Sequence, residues 1–238
     1  YLDNAATTAV APEVLEAMIP VLRDHYGNPS SSHSIGRKSR VIIEQSRRLI
    51  AGHMGCHPRT IYFTSGGTEA DNLALRSAVR DLGCKRIITS AAEHSAVIKT
   101  AESLQRTSGI QLELVRHLED GVIDYAHLEE LLANGPKTLV SLMHANNEVA
   151  VVQDLERIGQ LCRDNQALFH TDTVQTMCHY RFDLRTLPVD FITCSAHKFH
   201  GPKGIGFLYI AQGLKVGGQI EGGSQERAVR GGTENIHS

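Results

Sequence analysis

Short apolar runs that end in polar clusters, separated from one another by stretches of helical periodicity, recur along this chain and restrict it to few architectures. Ile61-Tyr62-Phe63-Thr64, Arg86-Ile87-Ile88-Thr89-Ser90, Thr138 to Met143, Ala167 to His170, Asp190 to Cys194 and Ile205 to Ile210 read as strands, and Ile110, Leu112 and Leu114 alternate as one more. Between them, Val41, Ile42, Leu49, Ile50 and Met54 recur at helical spacing before Gly55. Leu73, Leu75, Val79 and Leu82 do so before Gly83, and Val97, Ile98, Ala101 and Leu104 before Gly109. A glycine at such a place stops a helix because it accepts the left-handed backbone that closes the last turn. Asp124 and Asp154 are placed to cap two further helices, one through Leu132 and one to about Asn165. Strands and helices alternating in this order bury a mostly parallel sheet between helical layers, an α/β fold. Pro20 interrupts the apolar pattern from Val14 to Leu22 and is expected to kink or split that helix, while Tyr1-Leu2-Asp3-Asn4 reads as a strand entering a turn.

Composition narrows the function classes. The 238 residues are 41% hydrophobic, enough for a substantial core. Lys and Arg number 24 against 26 Asp and Glu, so no basic field invites nucleic acid. No apolar run approaches the ~20 residues of a membrane span, and no basic-then-apolar leader opens the chain. Neither membrane insertion nor secretion is expected. Five cysteines, Cys56, Cys84, Cys162, Cys178 and Cys194, make no C-x-x-C and no closely spaced even set. That pattern predicts neither a disulfide framework nor a metal site, and a reducing cytoplasm is the natural setting. Both ends read as trimmed, since the chain starts at Tyr1 and finishes in a glycine-rich loop from Gly231 to Ser238.

In an open α/β sheet, ligands sit outside the carboxyl ends of the strands, which directs attention to the polar clusters found there. Ser65-Gly66-Gly67-Thr68-Glu69-Ala70-Asp71-Asn72 leads from a strand into a helix and offers backbone N–H groups and the Thr68 hydroxyl to an anion, although an ordinary tight turn has the same form. It contains neither a P-loop nor a dinucleotide fingerprint. Glu93-His94-Ser95 opens a helix, where histidine is also a common structural residue, and His144-Ala145-Asn146-Asn147-Glu148 sets two amides after a buried strand, where amides also tie down loops. In His170-Thr171-Asp172-Thr173-Val174-Gln175 a carboxylate tips an apolar strand, which is costly without a cation or donor. Ser195-Ala196-His197-Lys198 puts a lysine directly after another such strand. Pyridoxal phosphate needs a lysine for its imine, a carboxylate for its ring nitrogen, an aromatic stacker, a donor near its ring oxygen and a phosphate cradle. Each of these residue types stands at a strand end.

These stretches resemble the cysteine desulfurase branch of the class V aminotransferase family. The resemblance runs from Tyr1-Leu2-Asp3-Asn4-Ala5-Ala6-Thr7-Thr8 to Arg230-Gly231-Gly232-Thr233-Glu234-Asn235, through Gly27-Asn28-Pro29-Ser30-Ser31, Gly67-Thr68-Glu69, Glu93-His94, Met143 to Glu148, Asp172 with Gln175, Ser195 to Lys198 and Gly201-Pro202-Lys203-Gly204. Asn146-Asn147-Glu148 is similar to the nitrogen-fixation and housekeeping iron–sulfur-assembly subgroup. The resemblance implies the large domain of an aspartate-aminotransferase-like pyridoxal-phosphate enzyme, fold type I, over residues 1–238 with its N-terminal segment. It also implies that the smaller C-terminal domain, with the family's nucleophilic cysteine and its carboxylate-gripping arginine, lies outside this chain.

Residue by residue, the resemblance makes Lys198 the cofactor lysine and proton shuttle, Asp172 the partner of the ring nitrogen, His94 the stacker and Gln175 the donor to the phenolic oxygen. Gly67, Thr68, Ser195 and His197 would hold the phosphate, Asn147 would lie near the ring oxygen and the substrate carboxylate, and Thr233 would reach the phosphate of a neighbouring subunit in a homodimer. The implied reaction converts L-cysteine to alanine and an enzyme persulfide, for a sulfur-acceptor protein such as an iron–sulfur scaffold. Selenocysteine lyase, cysteine sulfinate desulfinase and a catalytically silent scaffold are the alternatives. The departures are Thr173 where the family has Ala beneath the ring, Val149-Ala150 for an apolar-Gly pair, and Ser224 within a glycine triplet. Cys194, closing an apolar strand, reads as a core thiol.

Overall fold

The computed structural model describes residues 1–238. Its centre is a seven-stranded sheet in the order β1-β7-β6-β5-β4-β2-β3. The strands are β1 (Ile61–Thr64), β2 (Arg86–Ser90), β3 (Gln111–Val115), β4 (Thr138–Ser141), β5 (Leu168–Asp172), β6 (Phe191–Ser195) and β7 (Gly206–Ile210). Only β7 is reversed, pairing antiparallel with both β1 and β6. The carboxyl ends of the other six strands therefore share one edge.

Successive side chains on a strand point to opposite faces, and here both faces are covered. Ile87, Leu139, Phe191 and Leu208 enter a core with Leu73, Leu75, Val97 and Leu104 of α3 (Gly67–Arg80) and α4 (Ser95–Ser108). Their chain neighbours Ile88, Val140, Ile192 and Phe207 enter the opposite core. There they meet Leu128 of α5 (Tyr125–Ala133), Ile158 of α6 (Leu155–Asp164) and Met54 of α2 (Ser34–Met54). Helix boundaries follow local chemistry: Asp124 Oδ1 accepts from His127 N at 3.1 Å, Asp154 Oδ1 accepts from Arg157 N at 3.0 Å, and Gly55 closes α2 at φ 68°. Gly83, expected as a stop, lies beyond α3, which ends at Arg80 with Asp81 as its cap.

Two expectations about the N-terminal region are corrected. Helix α1 (Pro12–Asp24) runs through Pro20 as one element. It contributes no buried residue, so water can take the carbonyl that proline leaves without a donor. Residues 1–3 form no strand, and a turn follows at residues 4–6. This segment is instead tied to the sheet edge: Thr8 N donates to His197 O at 2.9 Å, and Ala11 N to His200 O at 3.0 Å. No helix is long and apolar enough to cross a membrane.

Candidate cofactor site

The shared edge of the parallel strands opens into a cavity of about 420 Å³. Its lining gathers Gly67 and Thr68 after β1, His94 after β2, Asn147 after β4, Asp172 and Gln175 from β5 and its loop, and Ser195, His197 and Lys198 from β6 and the single 3-10 turn that follows. Thr233 does not join them: it lines a separate cavity of about 130 Å³ with Phe63, Thr64, Ile205 and Glu226.

Each position has a local cause. Gly66, at φ 147°, turns the chain from β1 into α3, so that the first N–H groups of α3 point outward without helical partners. The polar recess adjoining the cavity, between Ser65, Gly66, Thr68, Ser195, His197 and Lys203, has no hydrophobic lining residue. Glu69 steadies this turn, since its Oε2 accepts from Ser65 N at 2.9 Å while its Oε1 accepts from Arg230 Nε at 3.0 Å. The two consecutive amides divide their work. Asn146 ties down its loop, Oδ1 accepting from Glu148 N at 2.7 Å and Val149 N at 2.8 Å, and Asn147 is left to the cavity.

Lys198 is half-buried, and burial lowers its ammonium pKa while Asp172 and Asp3 act in the opposite sense. Its Nζ donates to Ala5 O, which also accepts from Gln175 Nε2 at 3.0 Å. Asp172 is 4% exposed, and its Oδ1 accepts from Val174 N at 2.8 Å. Burial, with repulsion from Asp71, pushes its pKa up to about 7. The imidazole of His197 is lowered by burial and then by Lys198 and Lys203, and its Nδ1 lies 3.0 Å from Thr7 Oγ1.

The departures from the family pattern acquire physical content. Thr173 does not crowd the cavity, because it is fully buried with its hydroxyl donating to Thr193 O at 2.8 Å, and Val174 is the residue that lines the cavity wall. Ala150 sits at φ 54°, which explains why glycine suits that position. None of the cysteines lines the cavity; Cys194 is fully buried, and burial raises its thiol well above the ordinary range. Asp3, Ala5 and Ala6, brought to the cavity by the N-terminal strap, stand in the resembling stretch without a role there, and so does Asp71 after Glu69. The signal for Asp71 was a carboxylate on an otherwise apolar helix face, between Ala70 and Leu73-Ala74-Leu75.

Pyridoxal phosphate fits what these residues offer. The cavity brings together a buried carboxylate and a lysine, and it adjoins an anion recess of N–H and hydroxyl groups. The comparisons agree with the geometry. The chain is 42% identical over 239 residues to cysteine desulfurase IscS of Methanosarcina thermophila, covering 99% of this chain and 58% of that protein. It is 43% identical over 239 residues to putative cysteine desulfurase IscS 1 of Bacillus subtilis, covering 99% and 62%. It thus spans about 60% of the length of such curated relatives. Among solved structures, a NifS-like protein superposes with a TM-score of 0.95 at 39% identity over 100% of this chain and 66% of that one. SspA in complex with cysteine superposes with a TM-score of 0.92 at 37% identity over 100% and 69%. A model of the aminotransferase class-V family matches residues 1–235, and with the sheet order and strand-end site described above the chain belongs to that family.

Proposed function

We propose that this chain is the cofactor-binding large domain of a pyridoxal-phosphate-dependent cysteine desulfurase, acting on L-cysteine and passing sulfur to an acceptor protein such as an iron–sulfur scaffold. The observation that carries the reading is the convergence of Lys198, Asp172, His94 and the Gly67-Thr68 turn on one cavity. The relatives named above are cysteine desulfurases, which favours this reading over a selenocysteine lyase, a sulfinate desulfinase or a silent scaffold.

When bound, the cofactor supplies an electron-withdrawing ring that stabilises negative charge developing on a substrate amino acid. The chain's residues do the rest. Lys198 would hold the group covalently through Nζ, helped by the burial that favours its neutral amine, and would carry a proton to and from the substrate α-carbon. Asp172, fixed by its bond from Val174 N, would keep the ring nitrogen protonated. His94 would cover one face of the ring and Val174 would pack against it from the cavity wall. Gly67, Thr68, Ser195 and His197 would hold the phosphate, with Gln175 and Asn147 on the ring oxygen and the substrate carboxylate. Sulfur transfer needs a thiolate in the cavity, and with no cysteine there the accepting thiol would come from outside these residues. A homodimer in which Thr233 serves the neighbouring phosphate accords with its place outside this cavity, and a cytoplasmic setting accords with five free cysteines.

Borohydride reduction of the chain loaded with pyridoxal phosphate, followed by peptide mapping, tests the assignment. Label on the peptide containing Lys198 is expected. Label on Lys203 or Lys38 in its place would refute it.

A further inference from the structure

Asp71 takes no part in the function proposed above. It lies one turn into α3, is 1% exposed and nevertheless lines the cavity. Neither of its carboxylate oxygens makes a well-formed hydrogen bond, and the Thr193 hydroxyl beside them only partly offsets their burial. Buried polar atoms are almost always partnered, so an orphaned carboxylate at a site edge requires a cause.

Neither His170 nor Glu93 supplies it a cation. From β5, His170 brings Nε2 to 3.5 Å from Asp71 Oδ1, but that nitrogen is already 3.0 Å from Thr193 Oγ1 and Nδ1 is 2.8 Å from Ser141 Oγ. Burial pushes the His170 pKa down to about 4, so it is neutral at pH 7. From the loop after β2, Glu93 is buried, and its pKa is raised first by that burial and further by repulsion from Asp172 and Asp71. Lys198, on the same cavity lining, is directed to Ala5 O. One oxygen of Asp71, one of Asp172 and a ring nitrogen of His94 all lie within 4.8 Å of one another. Two carboxylates so close in a buried setting cannot both ionise cheaply, and they titrate as a pair. Burial raises both, each to about 7, against a hydrogen bond from Thr193 at Asp71, and repulsion from Asp71 adds to the rise at Asp172.

We propose that Asp71 is a positioning residue of the cofactor site: it and Asp172 form a buried carboxyl pair that shares one proton, and through that proton Asp71 governs when Asp172 is free to grip a ring nitrogen. The pair itself stands on the geometry of this chain, and what Asp172 grips rests on the function proposed above. A ring N–H on Asp172 pins it as the carboxylate, which leaves the shared proton on Asp71 and gives the orphaned oxygens a neutral form suited to their burial. The sign follows directly. Asp71 holds the Asp172 pKa up, so replacing it with a neutral amide lets Asp172 ionise at lower pH and extends cofactor binding in the acid direction.

Carbon-13 NMR of the cofactor-free chain with labelled aspartate tests the pair without any ligand. In the wild type, Asp71 and Asp172 should titrate in two coupled steps around neutrality. In Asp71→Asn, Asp172 should titrate in a single step, about one pH unit or more lower. Pyridoxal phosphate binding, followed by absorbance against pH, should shift its acid limb in the same direction. An Asp172 midpoint unmoved in Asp71→Asn would overturn the proposal. Should that variant not fold, independent titration of both wild-type carboxyls in the ordinary carboxylate range would do the same. A coupled titration in a chain that binds no pyridoxal phosphate would retain the carboxyl pair and refute its link to the cofactor.

Discussion

Replacing Arg47 by Met should cost this protein much of its stability, although Arg47 lies outside the cofactor cavity. The guanidinium is 3% exposed, as is the Glu226 side chain, and the two form a bidentate pair at 2.8 and 2.7 Å. Arg47 Nη1 also donates to Ile61 O at 2.7 Å, and Glu226 Oε2 accepts from Phe63 N at 2.9 Å. The pair thus joins α2, β1 and the C-terminal loop, whose residues Glu226, Arg227 and Ala228 all adopt positive φ. Arg230 of the same loop braces Glu69 at the start of α3. Removing the arginine leaves the Glu226 carboxylate buried without a cation, a loss of about 3–5 kcal/mol. At roughly 2–4 °C per kcal/mol for a chain of this size, the melting temperature should fall by about 6–20 °C. Thermal unfolding by circular dichroism measures it. Arg47→Met combined with Glu226→Gln should recover part of the loss, because the cost lies in the stranded charge. A single variant within about 1 kcal/mol of the wild type would refute the reasoning, as would a double variant no better than the single.

Two further outcomes test the site. Asp172→Asn should lower turnover of the full-length enzyme ~100-fold or more, about 3 kcal/mol, since an amide cannot hold the ring nitrogen protonated; near-normal turnover would count against its role. Gly67→Ala brings a Cβ to 2.8 Å from Cγ2 of Val174, a cavity-lining residue, so the turn or Val174 must shift. Overpacking of that kind costs about 1–3 kcal/mol and should weaken pyridoxal phosphate affinity ~10-fold in a fluorescence titration, whereas unchanged affinity would show that the turn tolerates the methyl group.

Much of the fold was legible in the chain because its signals are local. The runs Ile61–Thr64 and Arg86–Ser90 are strands with those limits, and Asp124, Asp154 and Gly55 cap or close the helices they punctuate. The strand-end positions of Lys198, Asp172, His94 and Gly67 followed too, because a parallel sheet brings the carboxyl ends of its strands to one edge whatever the order of the strands. What the chain did not disclose depends on neighbours remote in sequence. Pro20 is tolerated because α1 packs no residue into the core, and Thr173 faces away because β6 offers it the Thr193 carbonyl. Ala5 meets Lys198 only because Thr8 is hydrogen-bonded to the His197 carbonyl. Asp71 is the clearest instance: along the chain it is one carboxylate on a helix, and its proximity to Asp172 exists only once α3 packs on β5 and β6, since charge repulsion and burial act through space and leave no periodic trace in the sequence.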